Sequence, residues 1–380
     1  MMNMALALCE DGHEVYQFAL NTSRHKVDPN TIPADIREKL HFHAAYIDTK
    51  IKLFDLLKNL FTSESYNIVR FHSAEVEAEI RELLKMNSFD IVQLETLFTA
   101  PYISCIRKNS DAKIVLRAHN VEHVIWQRLS FKEKKLVKKR YLKFLSQRLK
   151  KYELHTLKEI DALVPITAID ESIFKEFKFS RPMLTVPMSI DLKDYHFDGN
   201  NQAEICLFHL GSMDWMPNRE AVEWFLENCW PGIHRLMPEI KLNLAGRGFP
   251  EDIIERNLPN VICEGRIEDS HRYMSNKQIM IVPLLSGSGM RVKIIQGMAL
   301  GKTIISTSIG AEGIPAEHEK NILIADRPEQ IVALVQRCVE NPEWCRRIGS
   351  NARRFVEDHY SNRAIGHQLG NFYHALVKLS

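Results

Sequence analysis

The sequence predicts an α/β protein of two domains, each built on a mostly parallel sheet with helices on both faces. Three observations carry that expectation. Short β-branched runs alternate with segments of helical period along most of the chain. At 380 residues, 45% hydrophobic and 26% charged, there is material for two cores. A polar stretch, residues 194–202 (DYHFDGNNQ), separates two such alternating halves. The totals also narrow function. A net charge of +2 argues against a general nucleic-acid binder. Seven cysteines without a C-x-x-C pair fit a reducing cytoplasm better than a disulfide scaffold. No apolar run reaches the roughly 18 residues of a membrane span, and no secretory leader is expected.

The first half opens on a helical pattern, Met1–Glu10, stopped by Asp11-Gly12. His13–Leu20 and Phe42–Ile47 read as strands, and Ile51–Phe61 as a helix. Helix Ala74–Met86 precedes strand Asp90–Glu95, and helix Ala100–Arg107 precedes strand Lys113–Ala118. Ligands of such sheets gather beyond the carboxyl ends of the strands, where Glu95 and the run His119-Asn120-Val121-Glu122 lie. By its residues alone Glu95 reads as structural, as does His123. A basic helix, Phe131–Tyr152, carries ten Lys or Arg and an apolar stripe at Val137, Tyr141, Phe144 or Leu145, and Leu149. That pattern predicts a solvated outer face, or a patch drawn to an anionic membrane surface. Strands Asp161–Ile166 and Met183–Val186 flank helix Ile169–Phe177.

The second half starts with strand Ile205–Leu210, then Gly211-Ser212-Met213-Asp214-Trp215-Met216-Pro217-Asn218, with Asn218 as expected N-cap of helix Arg219–Asn228. Strands Lys241–Ala245 and Val261–Glu264 end in the turns Gly246-Arg247-Gly248 and Gly265-Arg266-Ile267. Strand Ile281–Leu285, a glycine-bearing loop Ser286–Gly289, helix Met290–Leu300, Gly301 and strand Thr303–Thr307 follow. Strand Asn321–Ala325 and helices Pro328–Glu340, Pro342–His359 and Arg363–Leu379 complete the chain.

The loop and helix start around Gly287–Lys293 make an anion site. Glycines admit close backbone approach, the helix tip offers free N–H groups, and Arg291 and Lys293 add two full charges. A diphosphate is the matching ligand. Walker A fails here, because Gly297-Met-Ala-Leu-Gly301-Lys302-Thr303 is one residue short and ends a helix. G-x-G-x-x-G fails after both Gly287-Ser288-Gly289 and Gly246-Arg247-Gly248. In a regular helix Arg291 and Lys293 would project about 200° apart, so both reach one diphosphate only if Arg291 precedes the regular helix.

The ordered set Gly287, Ser288, Gly289, Arg291, Lys293, Met298, Ala299, Gly301, Ser306, Thr307, Gly310, Glu312 and Gly313 resembles the donor site of retaining glycosyltransferases of family 4, the glycosyltransferase group 1 type. The runs Arg117-x-His119-Asn120-x-Glu122 and Gly211-x-Met213-x-Trp215-x-Pro217-Asn218 resemble the same branch. The resemblance implies a GT-B fold, two Rossmann-like α/β/α domains with parallel sheets facing a central cleft. It implies an acceptor-side domain over residues 1–193, a nucleotide-sugar domain over 204–362, and a final helix, 363–380, returning to the first domain. A first strand and Gly-rich turn of the family have no counterpart before Met1, so a chain begun short of them is expected. Gln296 replaces the family's ribose-holding carboxylate, which implies altered donor binding, since an amide is not a charged acceptor.

What the resemblance implies chemically is transfer from a nucleotide sugar, UDP- or GDP-type, to a glycan or lipid-linked glycan in cell-surface polysaccharide biosynthesis, with retention. Arg291, Lys293 and His119 are the implied catalytic residues. Gly211, Asp214, Arg266, Ile267, Gly287, Ser288, Gly289, Met290 and Gln296 are the implied donor contacts. No D-x-D occurs, so metal-independent chemistry without a cofactor is expected, with protein cations facing the leaving diphosphate. Two alternatives stay open: a catalytically impaired nucleotide-sugar-binding relative or partner subunit, and a GT-B nucleotide-sugar 2-epimerase. The expected location is cytoplasmic, peripheral at the inner face of the plasma membrane.

Overall fold

The computed structural model describes residues 1–22, 28–50, 59, 62, 65–197, 204–287 and 289–378. The expected helix 51–61 lies outside them apart from Asn59, as does Ser288. Two compact units form: Met1–Ser189 with Ile365–Ser380, and Ile190–Ala364. Both are α/β with parallel sheets, as the alternating pattern predicts.

In the first unit β1 (Phe18–Thr22) pairs with β2 (His43–Ile47), and a separate sheet runs in the order β3 (Ile91–Glu95), β4 (Lys113–Ala118), β5 (Ala162–Pro165). All these pairings are parallel. Residues expected to start the first strand at His13 are not in it, and Met183 makes only an isolated bridge to Leu163. Helix Ala74–Met86 stands where its period placed it, capped by the Ser73 hydroxyl accepting from the Val76 amide. Residues Leu97–Tyr102 form a 3-10 turn instead of the start of a helix, because Pro101 cannot donate to an α-helical ladder. One face of β4 and β5 (Val115, Ala162, Val164) is covered by Met4 and Leu8 of the opening helix and by Ile365, Leu369, Tyr373 and Leu376 of the last helix, Asn362–Lys378.

The basic segment is two helices, Glu122–Lys132 and Leu136–Glu159, not one. The expected stripe holds at Leu145 and Leu149, which are buried. It fails at Val137, which is 85% exposed, beside Leu136 at 75% and Phe131 at 69%. These three lie at the corner between the helices, beyond the reach of the core.

The second unit carries one six-stranded parallel sheet. Its strands are β6 (Glu204–Leu210), β7 (Leu242–Ala245), β8 (Val261–Gly265), β9 (Lys277–Val282), β10 (Thr303–Ser306) and β11 (Leu323–Ile324). The spatial order is β8-β7-β6-β9-β10-β11. This is the 3-2-1-4-5-6 order of a dinucleotide-binding sheet, and its direction reverses between β6 and β9. Such strands are buried on both faces, which explains their continuous apolar runs (Leu207, Leu244, Ile279, Ile281, Ile305). Helix Val292–Ala299 begins two residues later than its sequence pattern, and β9 ends at Val282 instead of Leu285.

Candidate functional site

The reversal point gathers the predicted residues of the second unit. In an open parallel sheet, loops leaving two adjacent strands in opposite directions leave a crevice beyond their carboxyl ends. Here those loops follow β6 (Gly211–Trp215) and β9 (Pro283–Arg291). The helix Met216–Asn228 starts three residues before the expected Arg219, with Trp215 at its N-cap, so Asn218 is no N-cap. It sits in the first turn, where its Nδ2 donates to the Ser212 carbonyl (2.9 Å) and its Oδ1 accepts from Lys293 Nζ (2.9 Å). One amide thereby ties the β6 loop to the cation on the opposite helix.

Arg291 is the N-cap of Val292–Ala299, with non-helical φ −88° and ψ 92° and no capping side-chain bond. It therefore precedes the regular helix, and the two cations are free of the opposed projection that regular helical geometry would impose. The guanidinium is buried, 5.2 Å from the Trp215 ring and donating to the Gly289 carbonyl. Gly287 has φ +116°, and a methyl there would lie 2.7 Å from Arg291 Nη2, so glycine is required on both counts. Gly289 also has positive φ, Met290 is half-buried beside it, and Ser286 donates to Glu220 at 2.6 Å.

Burial dominates the electrostatics of the two cations. Burial, then the neighbouring Arg291, lowers Lys293 to about 7. Burial likewise lowers Arg291, against a small opposing pull from Glu312. His209, inside the apolar run of β6, is lowered to about 3, first by burial and then by Lys293. Its Nδ1 donates to the Ile281 carbonyl at 2.9 Å, leaving a buried Nε2 lone pair with no partner among the described residues. Sequence reasoning passed over His209. A histidine ending an otherwise apolar central strand was the available signal.

The remaining predicted residues spread around this centre. Gln296, on the second turn, donates its amide to the Tyr195 hydroxyl at 3.2 Å. Arg353 donates to the Tyr195 carbonyl (2.8 Å) and the Ala299 carbonyl (2.6 Å), fixing that tyrosine and closing the helix end. Gly297 stands where a methyl would come within 2.9 Å of Ile304 and Met280, a packing reason for the absence of alanine. Gly211 passes close to β7, since a methyl on Gly246 would lie 1.9 Å from the Gly211 carbonyl oxygen. Asp214 accepts from Arg247 Nε at 2.7 Å on an exposed rim. Arg266 is exposed and Ile267 half-buried after β8. The Ser306–Gly310 turn locks onto the β9 loop, with Ser306 Oγ donating to Val282 (3.1 Å) and Gly310 N to Thr307 Oγ1 (3.0 Å).

Comparison with known proteins bears on this site directly. Residues 204–341 match the family described as Glycosyl transferases group 1. An uncharacterized 44.6 kDa protein in the cps region of Klebsiella pneumoniae is 26% identical over 335 residues, 82% of this chain and 83% of its own. Sucrose-phosphate synthase from Thermosynechococcus elongatus superposes with TM-score 0.67 at 17% identity, covering 99% of this chain and 92% of that one. Anabaena HepE in complex with UDP gives 0.64 at 12% identity, covering 98% and 96%. The chain has the GT-B fold.

The third predicted catalytic residue, His119, lies in the first unit, just after β4. There His119 Nε2 lies 2.6 Å from Glu95 Oε2, at the end of β3. Arg117 donates to the same oxygen at 3.2 Å and to the Pro187 carbonyl at 3.2 Å. His123, by contrast, is buried against Glu153, whose carboxylate accepts from the Glu122 amide (3.1 Å), so that pair starts a helix. Among the described residues no helix is long and apolar enough to cross a membrane.

Proposed function

We propose that this protein is a glycosyltransferase that moves a sugar from a nucleoside-diphosphate donor, UDP- or GDP-type, to a glycan or lipid-linked glycan of a surface polysaccharide, with retention and without a metal. The carrying observation is the Arg291–Lys293 pair, two desolvated cations at a helix tip beside the β6/β9 reversal. In the reaction the bond between the anomeric carbon and the diphosphate oxygen breaks and a bond to an acceptor hydroxyl oxygen forms. The diphosphate departs with the bonding pair, and the acceptor proton is released. Negative charge grows on the diphosphate, and fixed cations stabilise it without reorganisation. Relatives support the reading: Anabaena HepE has been determined with UDP-glucose, and the Klebsiella relative belongs to a cps region.

One observation favours a second reading, a binding module with weak donor grip. Gln296 offers no charged acceptor and already gives its amide to Tyr195. The exposed corner Phe131, Leu136 and Val137, set among Lys134, Lys135, Lys138, Lys139 and Arg140, supports peripheral attachment to an anionic leaflet.

Calorimetry with UDP and GDP, and transfer assays with their sugars, test the proposal. Arg291→Ala and Lys293→Ala should each cut transfer by about 100- to 1000-fold, the effect of removing one preorganised donor, with melting behaviour preserved. Wild-type nucleotide affinity in both variants would refute the site. Binding without turnover on any donor would favour the binding module.

A further inference from the structure

The cluster at the ends of β3 and β4 is more specific than a loop histidine near an acid. Glu95 is largely buried, and burial alone would raise its carboxyl. The hydrogen bond from His119, the Arg117 guanidinium and the Met1 α-amino group outweigh that and hold it below the usual range. An ionised carboxylate only accepts, so the ring nitrogen 2.6 Å from Oε2 donates to it, and Arg117 Nη1, 3.1 Å from that nitrogen and 3.2 Å from the same carboxylate oxygen, turns its own proton to the carboxylate. That nitrogen is Nε2. No hydrogen bond to Nδ1 is found among the described residues, and the ring is about a quarter exposed. The neutral ring thus turns a lone pair outward.

The acid itself is held from behind. Gln93 donates to Glu95 Oε1 at 2.6 Å, and the Tyr373 hydroxyl donates in turn to the Gln93 carbonyl. Directly after Glu95, Thr96 adopts φ 76° and ψ 160°, a region that β-branched residues avoid at a cost of about 1–3 kcal/mol. The surrounding structure enforces this conformation where the chain leaves β3. Such outliers cluster where a side chain must be aimed. A carboxylate serving only to neutralise Arg117 would need neither the chain of bonds nor the turn.

We propose that Glu95 is the positioning residue for His119: it keeps the proton on Nε2, so that Nδ1 accepts a hydrogen from a substrate hydroxyl. The proposal rests on the glycosyl-transfer reading for its substrate, though the tautomer itself does not. The hydroxyl belongs either to the donor sugar or to the acceptor. The charged and titratable groups facing the pair are Arg117, the Met1 amino group and Tyr373.

Two measurements test it. The first is nitrogen NMR of protein labelled with 15N-histidine, with His119→Gln assigning the signal. Wild type should show a protonated Nε2 and a bare Nδ1, and Glu95→Gln should lose that fixed tautomer. The second is kinetics of Glu95→Gln. Its kcat should fall at least about tenfold, given that a positioned proton-transfer group contributes about 10²–10⁴-fold. UDP affinity and melting temperature should hold. Loss of donor hydrolysis together with transfer assigns the hydroxyl to the donor sugar, and loss of transfer alone assigns it to the acceptor.

A proton on Nδ1 in wild type would overturn the proposal. So would an unchanged kcat in Glu95→Gln, or a parallel fall in stability and UDP affinity that Glu95→Asp does not relieve. If wild type transfers no sugar, the functional reading fails by itself, and the ring nitrogens still decide the tautomer.

Discussion

Lys293 shows how far a residue's chemistry departs from its type. In water its ammonium stays charged to pH 10.5, but burial and Arg291 bring it to about 7. A diphosphate binds the charged form, so UDP affinity should fall as pH rises from about 7 toward 9, by up to about tenfold per unit. Binding near pH 7.5 should take up a proton, seen as a calorimetric heat that depends on the buffer. An affinity flat across that range would remove Lys293 from the site. The stability sign runs the opposite way. Below pH 7 folded and unfolded chains both hold the proton, and the fold bears the full cost of the buried charge. Between 7 and 10.5 the folded state sheds it first, and the cost shrinks. Lys293→Met should therefore raise the melting temperature most below pH 7, while abolishing UDP binding.

At the scale of elements, the decisive features sit where a helix or strand ends. The helix Val292–Ala299 was legible as a helix, since its apolar positions Ile294, Ile295 and Met298 repeat with helical period and are buried. Its first residue was not. Whether Arg291 lies in the helix or ahead of it depends on the β9 loop that Gly287 allows, a matter of backbone geometry that residue types do not encode. The basic corner is similar. Its charges were legible, but the break at Glu133–Lys135 that exposes Phe131, Leu136 and Val137 was not. We expect the chain to cosediment with vesicles containing phosphatidylserine and to release at high salt. Replacing Phe131, Leu136 and Val137 together by Ser should weaken that binding about tenfold or more, given about 1.5–3 kcal/mol for burying each apolar side chain fully and partial insertion here. Equal binding by variant and wild type would leave only the basic charges as the attachment.

For the whole molecule, the last helix ties chain order to stability. It leaves the second unit at Ala364 and covers β4 and β5 of the first with Ile365, Leu369, Tyr373 and Leu376. A methyl on Gly366 would lie 2.3 Å from the Ala7 carbonyl oxygen, so this helix meets the opening one backbone to backbone. Four such side chains are worth about 6–12 kcal/mol of burial, comparable to the stability of a domain. Deleting residues 365–380 should abolish the melting transition of the first unit and leave a second transition that UDP raises. Survival of both transitions would show that the helix is dispensable.

The sequence by itself determined the α/β class, the alternation of strands and helices, and the cationic loop proposed to hold the diphosphate, because period, glycine spacing and charge are local properties. It showed Glu95, Asn218 and His209 as residues but not as partners. Glu95 meets His119 only because β3 lies beside β4 in one register, and Asn218 holds Lys293 only because the sheet reverses between β6 and β9. Strand order and register are set by long-range packing, so the pairing of charges across them was decided by the tertiary structure alone.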